Sequence, residues 1–200
     1  MQPQGCCRRC GRDACKTLVD FVCQDCLEHR PRFDRAASAF RMEGEARELM
    51  NAFKFRGHYW LRDDLVEFMR AAVDSHFEAG KIDLVLSVPS TLPHFYDRGF
   101  TPCRELAKAL AKRLGRPCPP FVLKRQNSPR RQGTLTEEER RTNVVGTVGV
   151  RRPELVAGKT VLVVDDVMTT GSTLSECADV LKKAKAQEVW CVSAVRSLHT

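Results

Sequence analysis

The chain has 200 residues, a formal net charge of +8 and a pI near 9.1. Hydrophobic residues make up 42%, which excludes a disordered chain, and no apolar run approaches the roughly 20 residues that cross a bilayer. The charge favours an anionic ligand such as a phosphate, pyrophosphate or nucleic acid, although an ordinary basic surface would have the same composition. Because no apolar segment follows the first residues, we expect no secretory signal, no membrane insertion and a cytoplasmic location.

Cysteines are concentrated at the N-terminus, where six of the ten lie within the first 26 residues. In a reducing compartment, such clustering indicates metal binding rather than disulfides. Two CxxC pairs with twelve residues between them can place four sulfurs around a tetrahedral, structural zinc. The ligands that we predict are Cys7, Cys10, Cys23 and Cys26. Cys6 and Cys15 break the symmetric spacing and are expected to lie outside the site; free buried cysteines and an iron–sulfur cluster remain as alternatives.

Residues 33–80 are predicted to contain one strand followed by two helices, at about 43–55 and 59–78. Apolar residues recur at helical spacing in both helices, and Gly57 and Gly80 mark their ends.

From residue 81 onward, short apolar runs alternate with helical patterns. The predicted strands are 82–88, 144–150, 160–164 and 188–195. One helix is predicted to begin at Thr101-Pro102 and another at about 172, and residues 120–141 have the polar composition of a loop. This alternation predicts an α/β fold with an open, mostly parallel sheet flanked by helices and joined by right-handed crossovers.

The most specific pattern runs from Val161 to Thr173. A buried strand ends at Asp165 and Asp166, a short loop rich in Thr, Ser and Gly follows, and a helix then begins. In open α/β sheets, ligands bind beyond the carboxyl ends of the strands, and backbone N–H groups at a helix start favour a phosphate. Gly171 lets the backbone come close, while the two carboxylates suit vicinal sugar hydroxyls as donors. An acidic turn before a capped helix is the alternative.

This pattern resembles the phosphoribosyl pyrophosphate motif of type I phosphoribosyltransferases. The resemblance implies that the acid pair binds the ribose hydroxyls and that residues 169–173 bind the 5'-phosphate. The ligand contacts that it implies in this segment are Val164, Asp165, Asp166, Thr169, Thr170, Gly171, Ser172 and Thr173.

A second loop follows the predicted strand 82–88. In type I enzymes the equivalent loop receives pyrophosphate on backbone amides, and a magnesium ion bridges the charges. The resemblance therefore implies contacts from Val88, Ser90 and Thr91, and Arg98 of the Arg-Gly-Phe sequence is a further candidate. A proline-containing loop after a strand is also common in other folds.

A basic cluster lies in a stretch with no acid before Glu137 and consists of Lys124, Arg125, Arg130 and Arg131. Arginine forks suit phosphate oxygens, and in this class a mobile loop closes over pyrophosphate to exclude water. Residues 124–141 are the expected lid, and Arg125 joins Asp165 and Asp166 as an expected catalytic residue. A solvated basic loop is the alternative.

A longer series of motifs extends along nearly the whole chain. It comprises, in order, the cysteine pairs, Phe53-Lys54-Phe55-Arg56-Gly57, Val88-Pro89, Arg98-Gly99-Phe100, Arg125, Gln132, Arg140, Asn143 and the Asp165 motif. This series resembles the ComF family of competence proteins, which is tied to cytoplasmic handling of DNA during natural transformation. One departure is that Thr101-Pro102 follow Arg-Gly-Phe, where the family commonly has Asn-Gln.

The resemblance implies a four-cysteine zinc module at 1–32, a hood at 33–80 over the acceptor site and a phosphoribosyltransferase core at 81–200. The implied reaction is displacement at the anomeric carbon, with pyrophosphate leaving and the acceptor unidentified. Two other classes remain: an adaptor that binds single-stranded DNA and competence-machinery proteins, and a regulator that binds phosphoribosyl pyrophosphate without turnover. Against the adaptor, no run of aromatic residues accompanies the basic cluster, as single-strand binders usually have.

Overall fold

The computed structural model describes residues 5–13, 21–55, 58–89, 101–125 and 147–197. Within these ranges the helices and strands are, in chain order, α1 (Gln24–His29), β1 (Arg35–Arg41), α2 (Gly44–Phe55), α3 (Leu61–His76), β2 (Leu84–Ser87), α4 (Pro102–Leu114), β3 (Leu123–Arg125), β4 (Val148–Val150), β5 (Thr160–Met168), α5 (Ser172–Lys183) and β6 (Glu188–Arg196).

The main sheet has four parallel strands in the order β1-β6-β5-β2. The two central strands are buried almost throughout, and the run Val161–Val164 has no exposed surface. A parallel sheet covered on both faces needs continuous apolar strands, which is the pattern that the sequence has here. The predicted open, parallel α/β fold is therefore confirmed, and a separate antiparallel pair, β3-β4, accompanies the sheet.

Two apolar cores cover the two faces of the sheet. Helices α2, α3 and α4 pack on one face, where Leu65, Met69 and Leu110 meet Leu162 and Trp190. On the opposite face, α5, the β3-β4 pair and the cysteine-rich N-terminal segment share a single core. The carboxyl end of β5 thus lies at the edge of two well-packed layers, which fixes the position of the side chains that follow.

The ends of α4 illustrate how local sequence sets the elements. Pro102 occupies the first turn, where its missing N–H costs no hydrogen bond, and Gly115 ends the helix in the left-handed region at φ 64°. Both features agree with the predicted helix.

Tertiary pairing alters three of the predicted elements. Strand β5 does not end before the acid pair but continues to Met168, because β6 extends alongside it to Arg196 and supplies parallel backbone partners. Residues 123–125 lie in the predicted loop and instead form β3, since β4 pairs with them. The strand of the predicted hood, β1, is an edge strand of the main sheet beside β6.

Across the ranges given above, no helix combines the length and the apolar character that a bilayer span requires.

Candidate functional site

Two carboxylates lie together near the carboxyl end of β5. Asp165 is buried, and its Oδ1 accepts hydrogen bonds from the backbone N–H of Asp166 at 2.8 Å and from Cys103 Sγ at 3.2 Å. Asp166 Oδ2 lies 2.8 Å from Lys54 Nζ in an ion pair whose side chains are each 15% exposed. Helices α2 and α4 thus each bring one side chain to the pair. Sequence reasoning singled out the segment containing Lys54 but not its role, and no pattern marked Cys103.

The environment of Asp165 changes its acidity. Burial, and then the negative charge of Asp166, raise the pKa of the Asp165 carboxyl to about 7. The hydrogen bond from Cys103 and the nearby charge of Lys54 act in the opposite direction. A carboxyl with this pKa changes its charge within the physiological range, and it accepts hydrogen bonds on all its oxygens only when ionised.

The loop after β5 has the features that a phosphate site needs. Gly171 adopts φ 78°, and a Cβ there would lie 2.7 Å from Met168 Cε, so that only glycine fits this turn without strain or displacement. The Thr170 and Ser172 hydroxyls are 2.7 Å apart, and Thr170 Oγ1 accepts from the Ser172 N–H at 3.3 Å. Helix α5 follows at once with twelve residues, so its N-terminal N–H groups and dipole face this loop.

The end of β2 lies directly beside this segment. The Val88 N–H donates to the Val164 carbonyl at 2.9 Å, and Ser87 is in register with Val164. The structure therefore places Val88 beside Val164, directly before the acid pair and the loop 169–173, and the contacts of these residues with a ligand stay predictions. Ser90, Thr91, Arg98, Arg130 and Arg131 lie outside the described residues. Arg125 lies at the end of β3 opposite Val148, and its catalytic role stays a prediction.

The four predicted cysteine ligands converge at the N-terminus, with all four Sγ atoms within 4.8 Å of one another. Tetrahedral zinc with Zn–S bonds of about 2.3 Å separates its sulfurs by about 3.8 Å. The Cys10 and Cys23 sulfurs are 3.7 Å apart, so this pair fits that spacing. The hydrogen bond with Cys10 lowers the pKa of the Cys7 thiol and raises that of Cys26, as expected for sulfurs crowded around one point. Cys6 instead donates to Asp13 Oδ1 at 3.1 Å.

The cysteine cluster is hydrogen-bonded to the main sheet, and the segment that follows it is hydrogen-bonded to α5. The backbone of Arg9 accepts from the Ala36 N–H of β1 at 2.7 Å, and the buried Arg196 of β6 donates to the Cys10 carbonyl. Further along, the Arg32 N–H donates to Ser175 Oγ in the first turn of α5 at 3.0 Å. Phe33, 1% exposed, lies beneath the loop, its ring 3.6 Å from where a Cβ on Gly171 would stand.

Sequence comparison identifies one matching family and several relatives. The family described as "Phosphoribosyl transferase domain" matches residues 67–200. Competence protein F of Haemophilus influenzae is 28% identical over 172 residues, which cover 84% of this chain and 75% of that protein. DNA utilization protein YhgH of Escherichia coli K12 is 26% identical over 193 residues, which cover 93% of this chain and 82% of that protein. The resemblance to competence proteins is confirmed.

Among solved structures, an adenine phosphoribosyltransferase from Saccharomyces cerevisiae aligns with a TM-score of 0.45 and 18% identity, over 72% of either chain.

Proposed function

Because this chain belongs to the phosphoribosyl transferase domain family, we propose that it binds phosphoribosyl pyrophosphate and transfers the phosphoribosyl group to an acceptor. One observation carries the proposal: an acid pair near the carboxyl end of β5, with Asp165 buried, is followed by a glycine-containing loop at the start of α5. Carboxylates beside a phosphate site suit a sugar phosphate, because its hydroxyls need hydrogen-bond acceptors and its phosphate needs hydrogen-bond donors.

The proposed roles follow the chemistry of each group. Asp165 and Asp166 accept hydrogen bonds from the ribose hydroxyls, and residues 169–173 donate to the 5'-phosphate. The backbone after β2, from Val88 through Ser90 and Thr91, receives the pyrophosphate, and Arg98 and Arg125 add positive charge. Magnesium would accompany the pyrophosphate and neutralise it as it leaves.

The reaction is a displacement at the anomeric carbon. A nitrogen of the acceptor supplies the electron pair for the new bond, and the bond between that carbon and pyrophosphate breaks, with both electrons going to the leaving oxygen. The protein contributes orientation and charge stabilisation rather than a nucleophile of its own. The four N-terminal cysteines would hold one structural zinc, because their sulfurs lie within 4.8 Å of one another and four thiolates leave no open position for catalysis.

Binding and turnover are tested separately. Calorimetry with phosphoribosyl pyrophosphate and magnesium should show binding that Asp165→Asn weakens by roughly 10- to 100-fold, because charged hydrogen bonds contribute about 1.5–3 kcal/mol each. Asp64→Asn, at an exposed position on α3, is the matched control and should change nothing. Pyrophosphate release across a panel of nucleobases and amines then distinguishes a transferase from a regulator. Unchanged affinity in Asp165→Asn would overturn the assignment.

A second candidate, a single-stranded DNA adaptor, is favoured by a surface that the sequence pattern did not reveal. Phe55, Tyr59 and Trp60 are 64%, 50% and 66% exposed, and the Trp60 ring stacks on His58 with centroids 4.4 Å apart. Exposed aromatic rings provide the stacking contacts with bases that the basic cluster by itself lacks. The names of the relatives, which refer to competence and DNA utilization, agree with a role in DNA handling.

Fluorescence anisotropy of labelled single-stranded DNA tests this candidate. When only phosphates are contacted, the logarithm of the binding constant falls with the logarithm of the salt concentration, with a slope of about −0.7 per contact. Base stacking adds a contribution to the affinity that depends little on salt. Tight binding that persists at physiological salt, ignores phosphoribosyl pyrophosphate and falls in Trp60→Ala would support the adaptor. Feeble binding that the ligand abolishes would leave the transferase or regulator as the better account.

A further inference from the structure

Lys54 has no role in the reaction proposed above, yet it contacts the proposed ribose site directly. It lies in the last turn of α2, one residue after Phe53, whose ring is buried in the core on that face of the sheet. This anchoring directs the Lys54 side chain toward β5, where its ammonium reaches Asp166 Oδ2 at 2.8 Å. Only 15% of the Lys54 side chain is exposed, so the ion pair is largely removed from water.

The acid pair presents an electrostatic problem that a nearby cation can solve. Two carboxylates adjacent in the chain repel each other, and burial of Asp165 makes its ionisation harder still. An opposite charge within a few ångströms favours the charged form of a carboxyl group. Among the residues described, Lys54 is the basic side chain that forms an ion pair with Asp166, and its charge lowers the pKa of Asp165.

We propose that Lys54 is a positioning residue of the ribose site, which holds Asp166 by one oxygen and allows both carboxylates to be charged when phosphoribosyl pyrophosphate binds. This inference rests on the function proposed above. An ionised carboxylate has about four acceptor positions, so an ion pair at Oδ2 leaves Asp166 able to accept from a hydroxyl. The contact also joins α2, in the segment predicted to cover the acceptor, to the strand that holds the sugar.

Within the part of the chain that the structure describes, the other titratable groups that interact with Asp165 are not cations. Cys103 of α4 donates a neutral hydrogen bond. Cys177 of α5 and Cys191 of β6 are buried thiols, and burial raises the pKa of each, so they stay protonated. Asp166 adds negative charge. Removal of the Lys54 charge should therefore shift the titration of Asp165 upward, an effect that a purely structural link between α2 and β5 would not produce.

The first experiment needs no ligand. The ¹³C carboxyl resonance of Asp165 is titrated in the wild type, Lys54→Met and Lys54→Arg. We expect the midpoint to rise in Lys54→Met and to stay near the wild-type value in Lys54→Arg, which keeps the charge. Lys81→Met removes an exposed lysine that pairs with Glu78 at 2.9 Å and serves as the control. An unchanged midpoint in Lys54→Met overturns the inference.

If Lys54→Met does not fold, Lys54→Gln and Asp166→Asn answer the same question. Gln keeps a donor near Asp166 without the charge, so the midpoint of Asp165 should still rise. Asp166→Asn removes the neighbouring negative charge, so the midpoint should fall. If the Asp165 midpoint moves in neither variant, the charges of Lys54 and Asp166 do not control its titration and the inference fails.

The second experiment measures the affinity for phosphoribosyl pyrophosphate with magnesium between pH 6 and 9. Wild-type affinity should fall by up to tenfold per unit below the Asp165 midpoint, since one protonation then opposes binding. The Lys54→Met profile should have the same shape, displaced to higher pH, while Lys54→Arg follows the wild type. A wild type that binds at no pH overturns the proposed function, whereas wild-type binding with an undisplaced Lys54→Met profile overturns only the role of Lys54.

Discussion

Burial of the Asp165 carboxyl at the end of β5 opposes its ionisation, and the charge of Asp166 adds to the effect. The folded pKa of about 7 lies above the value near 3.9 of an unfolded chain. Between about pH 4 and 7, the folded state therefore keeps a proton that the unfolded state has released. The fold is favoured most below this window and loses stability as the pH rises through it. A side chain that the proposed ligand needs is thus unfavourable for the ligand-free fold.

Asp165→Asn should separate stability from binding. The amide oxygen can still accept from Cys103 Sγ and from the Asp166 N–H, but it carries no charge. We expect the variant to be more stable than the wild type at pH 8, by on the order of a few kcal/mol, with the difference shrinking toward pH 5. Thermal unfolding at four pH values between 5 and 8 measures this. If the stability of the wild type and that of Asp165→Asn changed with pH in the same way, the raised pKa of Asp165 would be contradicted.

At the scale of elements, the segment between the cysteine cluster and β1 supports the loop that precedes α5. Phe33 lies under Gly171, and the Arg32 N–H binds Ser175 Oγ in the first turn of the helix. Lys182, near the other end of α5, forms an ion pair with Asp34 at 2.6 Å. Three consecutive residues therefore hold both ends of the helix whose N-terminus would receive the phosphate.

Phe33→Leu tests this support. The smaller side chain leaves space beneath Gly171, so the loop loses a fixed surface and we expect weaker binding of phosphoribosyl pyrophosphate, by roughly three- to tenfold. Phe77→Leu removes a similar ring, stacked on Trp190 on the opposite face of the sheet, and should lower stability without this loss of affinity. Calorimetry and thermal unfolding are compared for both variants. Equal losses of affinity would show that the effect is one of general stability.

The elements also show where a sequence pattern stops being informative. Helix α4 matches its prediction because Pro102 and Gly115 act within a turn of the residues that they affect. Strand β5 exceeds its prediction because its last residues depend on backbone partners in β6, which no local pattern reveals. The short strand β3 was missed for the same reason, since it exists through its pairing with β4.

At the scale of the whole molecule, the cysteine cluster and the α/β core share one apolar interior. Cys7, Cys10 and Cys26 are buried in the same cluster as Phe33 and the apolar face of α5. The hydrogen bond from Arg196 to the Cys10 carbonyl ties the cluster to the central strands as well. Disruption of the cluster should therefore affect the core.

Cys23→Ser should release zinc and destabilise the whole chain. Structural zinc sites in peptides contribute apparent binding free energies of roughly 10–16 kcal/mol, and a lost ligand removes most of that. We expect the variant to lose the metal and to unfold at a lower temperature, including the α/β core. Cys118→Ser, at a partly buried cysteine outside the cluster, should retain both metal and stability. Metal analysis showing less than about half an equivalent of zinc in reduced wild-type protein would contradict the site itself.

Features whose parts are close together in the chain can be predicted from the amino-acid sequence alone. The two CxxC pairs, the acid pair with its glycine-containing loop, and the alternation of apolar strands with amphipathic helices are local patterns, and each has a chemical meaning without the fold. The tertiary structure alone decided what depends on packing between distant segments. It brings Lys54 and Cys103 to the acid pair, buries Asp165 so that its pKa rises, exposes Trp60, and places Phe33 under the loop. Such contacts follow from how helices and strands pack against each other, and a one-dimensional pattern carries no record of that packing.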